Sequence, residues 1–184
     1  PDPPLGAIPR MGMTPALLRL GGAPPARLEA LGTVVRGWVA ESNGRLEVAV
    51  FELDPPLAER EVSSSLFAQL ELHCLDTAAA IEARRAPAAR AFAILFTCAA
   101  QGGAYGGARH GAYGRLDAWR SLAGFVGAGA DAPLAELERH AVAAAWYDFG
   151  GATSWFHGSV WDLGLAALAP GGGSLAVLAA TDVD

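Results

Sequence analysis

The chain has 184 residues, with 13 basic and 19 acidic side chains and a formal net charge of −6. Every basic residue is Arg, so these residues cannot build a Walker-type phosphate loop, the strand Lys of a protein kinase or a pyridoxal Schiff base. A hydrophobic share of 52% against 17% charged argues for a globular chain, and the acidic balance weighs against nucleic acid and anionic membranes as partners.

Residues 1–23, with Pro1, Pro3, Pro4, Pro9, Pro15, Gly21 and Gly22, read as a linker or irregular arm ahead of a single domain over 24–184. From Pro24 the pattern turns helical. Leu28, Leu31, Val35, Trp38 and Val39 share a face, Pro24-Pro25 suit the start, and Asn43-Gly44 suit the end. Residues 45–53 alternate as a strand that Pro55-Pro56 terminates. Residues 63–76 fit two periods: Leu66, Leu70 and Cys74 a helix, Ala68, Leu70, Leu72 and Cys74 a strand. The caps offered by Ser63 to Ser65 tilt the expectation towards helix.

Residues 87–100 predict a helix with Pro in its first turn and Gly102-Gly103 at its end. A Gly-rich loop over 102–114 follows, then a helix over 115–126 with Leu116, Trp119, Leu122 and Ala123 on one face. Residues 132–144 predict a further helix, and 146–149 a short aromatic strand. Residues 153–169 read as an amphipathic helix with Phe156, Val160, Leu163 and Ala167 inward. A turn at 170–173 leads to a buried strand at 174–181. The expected class is α+β: a small sheet of three to four strands packed by about five to six helices. No internal repeat appears, and no apolar run approaches the ~20 residues of a membrane span.

Four stretches carry a resemblance: Glu41-Ser42-Asn43-Gly44-Arg45; GGAYGGARHGAYGRLDAWRSLAG from Gly102 to Gly124; Trp155-Phe156 followed by VWDLGLAAL; and the terminal LAVLAATDVD. In this order they resemble the C-terminal half of a family of uncharacterised actinobacterial proteins, over roughly residues 39–184. The resemblance implies a C-terminal or stand-alone domain whose longer relatives carry a helical N-terminal region, and it supplies no reaction. It implies an acidic residue at the position of His157, and so gives that histidine no catalytic role.

The strongest chemical signal is the loop at 102–114 feeding a helix. Its glycines let several N–H groups converge, and a helix N-terminus adds partial positive charge. Arg109 and Arg115 are suited to clamp an anion, with Tyr105, Tyr113 and His110 shaping the pocket. The spacing is not G-x-G-x-x-G, so a dinucleotide site is not indicated. For acid–base work His110 is the first candidate, because histidine titrates in the useful range. Asp182, just past a buried strand, is the second. The other His and Asp residues show no zinc or zincin spacing, so no metal is expected, and no cofactor can be named. No G-x-S-x-G elbow occurs, and Cys74 and Cys98 read as packed thiols. The chain opens at Pro1 without a secretory signal, which leads to the expectation of a trimmed piece of a cytoplasmic protein. The expected partner is a small anionic molecule. The competing expectation is an interaction or structural domain without catalysis, as a homo-oligomer or beside the N-terminal region of a longer protein.

Overall fold

The computed structural model describes residues 17–76, 80–105, 107–129 and 131–183, so residues 1–16 of the expected arm lie outside the described residues. The strands are β1 (Leu17–Leu20), β2 (Arg45–Asp54), β3 (Ile81–Ala86), β4 (Ala145–Gly151), β5 (Leu163–Leu168) and β6 (Ser174–Thr181). They form one sheet in the order β1-β2-β6-β5-β4-β3, with every neighbouring pair antiparallel. The class is α+β as expected, but three to four strands understated the sheet. The helices among the described residues are α1 (Pro25–Leu31), α2 (Arg36–Glu41), α3 (Ser64–Phe67), α4 (Ala88–Gln101), α5 (His110–Val126) and α6 (Leu134–Ala143).

Both faces of the sheet are covered, and the sequence of β6 states why. Side chains alternate across a strand, so an apolar residue at every position must serve two cores. Ala176, Leu178 and Ala180 pack with Val50, Trp146 and Leu165 against Leu31, Val35, Leu95, Leu122 and Phe125 of the helical layer. Leu175, Val177 and Ala179 pack with Phe51, Tyr147 and Phe149 against Leu66, Phe67, Leu70, Leu72 and Cys74 on the other side. Each fully buried Leu or Phe contributes roughly 1.5–3 kcal/mol. Both layers therefore weigh heavily in stability.

Several expectations need correction. Residues 153–169 are not a helix: Phe156 caps the second core from a loop, and Leu163–Leu168 is strand β5, between β4 and β6. A short apolar run buried on both faces carries no period that separates strand from helix. The continuous helix expected from Pro24 breaks into α1, a 3-10 turn at Gly32–Val35 and α2. Gly32 and the β-branched run Thr33-Val34-Val35 disfavour an unbroken α-helix there. Residues 63–76 hold only the single turn α3 and a 3-10 turn at His73–Leu75, pinned to the sheet by their apolar side chains. Strand β3 went unread because its IEARRA sequence has little apolar content, as suits a sheet edge. Helix α5 starts at His110, so Gly111 and Gly114 belong to the helix and the loop ends at Arg109.

Both cysteines are free thiols, Cys74 buried in the second core and Cys98 partly buried on α4. Burial pushes the Cys98 thiol up to about 12, and burial followed by the nearby Glu47 carboxylate pushes Cys74 higher still. Thiolate, not thiol, is the reactive species. A thiol-specific disulfide reagent near pH 8 is therefore expected to leave the native chain unlabelled on the timescale that labels both cysteines after denaturation. Rapid labelling of the folded protein would contradict this packing.

Candidate functional site

Helix α5 turns Gly114, Asp117, Ala118, Ser121, Leu122 and Phe125 inward. This stripe is rotated from the expected one, and Leu116 stays 45% exposed. Two polar residues therefore sit on the buried face. Ser121 Oγ donates to the carbonyl of Leu31 at 2.6 Å, which satisfies it. Asp117 is only 5% exposed. A buried carboxylate is costly unless paired, and it is paired twice: Arg109 Nε donates to Oδ2 at 3.0 Å and Arg120 Nη1 to Oδ1 at 3.3 Å.

This pair of guanidiniums borders a cleft of about 190 Å³ between α2 and the α4–α5 junction. Arg36, Trp38 and Glu41 of α2 line one side, with Gly102, Gly107, Arg109, Asp117 and Arg120 across from them. Three guanidiniums thus border the cleft beside the carboxylates of Glu41 and Asp117, and Arg36 Nη2 also donates to Glu29 Oε1 of α1 at 3.2 Å. The indole N–H of Trp38 is buried without a hydrogen-bond partner among the described residues.

The Gly-rich loop is tied down by two carboxylates. Glu41 Oε2 accepts the N–H of Gly107 at 2.8 Å. Asp182, fully buried beyond β6, accepts the N–H of Ala104 through Oδ2 at 2.7 Å. Its Oδ1 accepts the Ser42 hydroxyl and the N–H of Val183, each at 2.9 Å. The approach is close enough to require glycine at 103, where a Cβ would lie 2.1 Å from Asp182 Oδ2.

Of the residues singled out from sequence, Arg109 lines the cleft, and Asp182 lies beneath the loop that leads to it. The Tyr113 ring sits 5.6 Å from the Arg109 guanidinium, within cation–π range. Tyr105 and Tyr113 are each 65% exposed. His110, at φ +53, and Arg115 are both exposed, and neither lines the cleft. Sequence reasoning missed Arg36, Glu41, Asp117 and Arg120. The available signal was Asp117 itself, a charged residue at core spacing three positions before Arg120.

Asp162 and His157 are engaged locally. Asp162 accepts the N–H groups of Gly158 and Ser159 at 2.6 and 3.0 Å and the Thr181 hydroxyl at 2.7 Å. His157 Nε2 lies 3.1 Å from Arg45 Nη2. Among the described residues, no three His, Cys, Asp or Glu side chains gather as a metal would require, and no helix is long and apolar enough to cross a membrane.

The model of a family of unknown function (DUF6183) matches residues 22–184. The chain belongs to that family, which agrees with the uncharacterised family implied by its motifs. No curated protein and no solved structure matches it.

Proposed function

Taking membership of a family of unknown function as the premise, we propose that the chain binds a small anionic molecule in the cleft between α2 and the start of α5. The observation that carries this reading is the clamp of Arg109 and Arg120 on the buried Asp117, with Arg36 facing them from α2. A guanidinium has five N–H donors, and each of these two gives one of them to Asp117. The carboxylate orients the two guanidiniums, and among the described residues their remaining donors make no other hydrogen bond, which leaves them for a carboxylate or phosphate. The volume of about 190 Å³ lies below the usual range of ~300–1,000 Å³ for ligand pockets, so the ligand is a compact one. Tyr105, Tyr113 and His110 would shape the rim, and Arg115 would extend the site along α5. If the domain carries a reaction, His110 is the residue proposed for proton transfer. Asp182, with three donors on its carboxylate, is better suited to positioning the loop. The two free thiols support the expectation of a cytoplasmic protein.

The test is a thermal-shift panel of inorganic phosphate, small mono- and dicarboxylates and nucleotides. At least one anion is expected to raise the melting temperature. Arg109→Ala and Arg120→Ala are each expected to weaken that anion about 10–100-fold, the worth of a charge-assisted hydrogen bond of ~1.5–3 kcal/mol. Arg115→Ala reports whether the site reaches the outer face of α5. If no anion stabilises the wild type, or the Arg109 and Arg120 variants keep the full shift, the reading fails. The exposed Tyr105, Tyr113 and Leu116 favour a second reading, an interaction domain. That reading gains if anions are inert while Tyr113→Ala abolishes a self-association of the wild type.

A further inference from the structure

Strand β3 ends the sheet. It pairs with β4 on one side, and among the described residues Ile81–Ala86 makes no backbone hydrogen bond to any other segment. An open edge is a template for another strand, and charged side chains ordinarily discourage its use. Here the charges Glu82, Arg84 and Arg85 are exposed on six residues, IEARRA, and their order is self-complementary.

We propose that β3 is the contact strand of a symmetric dimer, adding antiparallel to the β3 of a second copy so that two sheets become one. Such a dimer has its two-fold axis normal to the sheet, and directly opposed residues share a face. The axis must therefore pass beside a single residue. With the axis at Ala83, Glu82 faces Arg84 of the second copy, and Arg84 faces Glu82 of the second copy. The small Ala83 side chains meet at the axis without crowding. An axis at Glu82 opposes two carboxylates, and an axis at Arg84 opposes two guanidiniums, both unfavourable. The charges thus select one register.

The neighbouring strand extends the pattern. Asp148 of β4 stands opposite Arg84, and Arg90 Nε donates to Asp148 Oδ2 at 2.8 Å. Across the joined edge, Arg90, Asp148, Arg84 and Glu82 of the second copy alternate in sign along one row. In the single chain Arg84 instead bonds Glu82 of its own strand at 2.5 Å, a largely exposed pair that the dimer exchanges for the cross-copy one. Grooves of about 500 and 430 Å³ flank β3 on its two faces, the first bordered by Arg90 and Asp148, the second by Arg60 and Tyr147.

Sedimentation velocity on the full chain tests this. The wild type is expected to sediment as a dimer, while Glu82→Arg and Arg84→Glu each sediment as monomers with unchanged circular dichroism. An equal mixture of these two variants is expected to form a heterodimer, because each arginine of one copy then faces a glutamate of the other. The double variant Glu82→Arg/Arg84→Glu is expected to dimerise again. A monomeric wild type overturns the proposal, as does a dimer that survives both single changes. Two monomeric variants that stay monomeric when mixed also overturn it.

Discussion

Replacing Gly124 with alanine is expected to lower the melting temperature by ~5–10 °C, corresponding to about 2–3 kcal/mol of overpacking in a chain of this size. Gly124 is where α1 crosses α5. A Cβ there would lie 2.6 Å from the backbone nitrogen of Leu31 and 3.1 Å from the carbonyl oxygen of Arg27. Both obstacles are main chain and cannot rotate away, so the helices would have to separate. Separation reaches further than the methyl group. Arg27 of α1 donates to the carbonyls of Gly124 at 2.9 Å and Phe125 at 3.1 Å, closing the C-terminal end of α5. Ser121 Oγ bonds Leu31, and Leu31, Leu122 and Phe125 share one core. All these contacts assume the close crossing. Gly111, on the same helix, is the internal control. A Cβ there meets nothing within 4 Å, so Gly111→Ala is expected to stabilise by up to about 1 kcal/mol through helix propensity. Parallel thermal melts of the two variants decide the matter. Equal effects, or a stable Gly124→Ala protein, would show that the crossing is looser than described.

Much of this crossing was out of reach of the sequence, for identifiable reasons. The helices at 87–100 and 132–144 were legible because long periodic segments with proline starts leave few alternatives, and α4 and α6 follow them. β6 was legible because its continuous apolar run follows a turn of glycines. β5 has a run of the same kind inside a segment that reads as a helix, since nothing in LGLAAL itself reports that both its neighbours are strands. The rotation of α5 was misjudged because Leu116 and Trp119 are large and apolar, while the residues that face inward include Gly114, Asp117 and Ser121. Size suggested burial, yet the close approach of neighbouring helices selects small residues. The loop expected over 102–114 ends at Arg109, because α5 takes up His110 onward. Its opposite wall on α2 lies about 70 residues away in sequence, at Arg36, Trp38 and Glu41. No local pattern announces a pairing over that distance. Asp182 was singled out for its place after a buried strand, and that place is also what brings it beneath the loop.

The carboxylate of Asp182 supplies the second large expected effect. It is fully buried, and among the described residues no guanidinium pairs with it. Three hydrogen bonds, from Ser42 Oγ, Ala104 N–H and Val183 N–H, hold it instead. Removing it in Asp182→Ala leaves three donors without an acceptor, and a stranded buried donor costs ~1–3 kcal/mol, so a loss of about 3–5 kcal/mol is expected after partial rehydration. At ~2–4 °C per kcal/mol this is a drop of roughly 6–20 °C in melting temperature. Asp182→Asn should fall in between. Its amide oxygen can replace one carboxylate oxygen, but its NH₂ must then face either Ala104 N–H or Val183 N–H, so one bond is lost whichever way the group turns. The Ser42 hydroxyl, donor and acceptor alike, can adapt to both. Stability alone would not separate a loop anchor from any other buried group. Hydrogen exchange does so, because in Asp182→Ala the amide of Ala104 is expected to lose protection ahead of global unfolding while amides of β6 keep theirs. Arg109 stands at the far end of that loop, so the variant is also expected to weaken anion binding in the cleft, although Asp182 does not line it. An Ala104 amide that stays protected in Asp182→Ala would remove the anchor role. Unchanged anion affinity with a loosened loop would mean that Asp117 alone suffices to hold Arg109 in place.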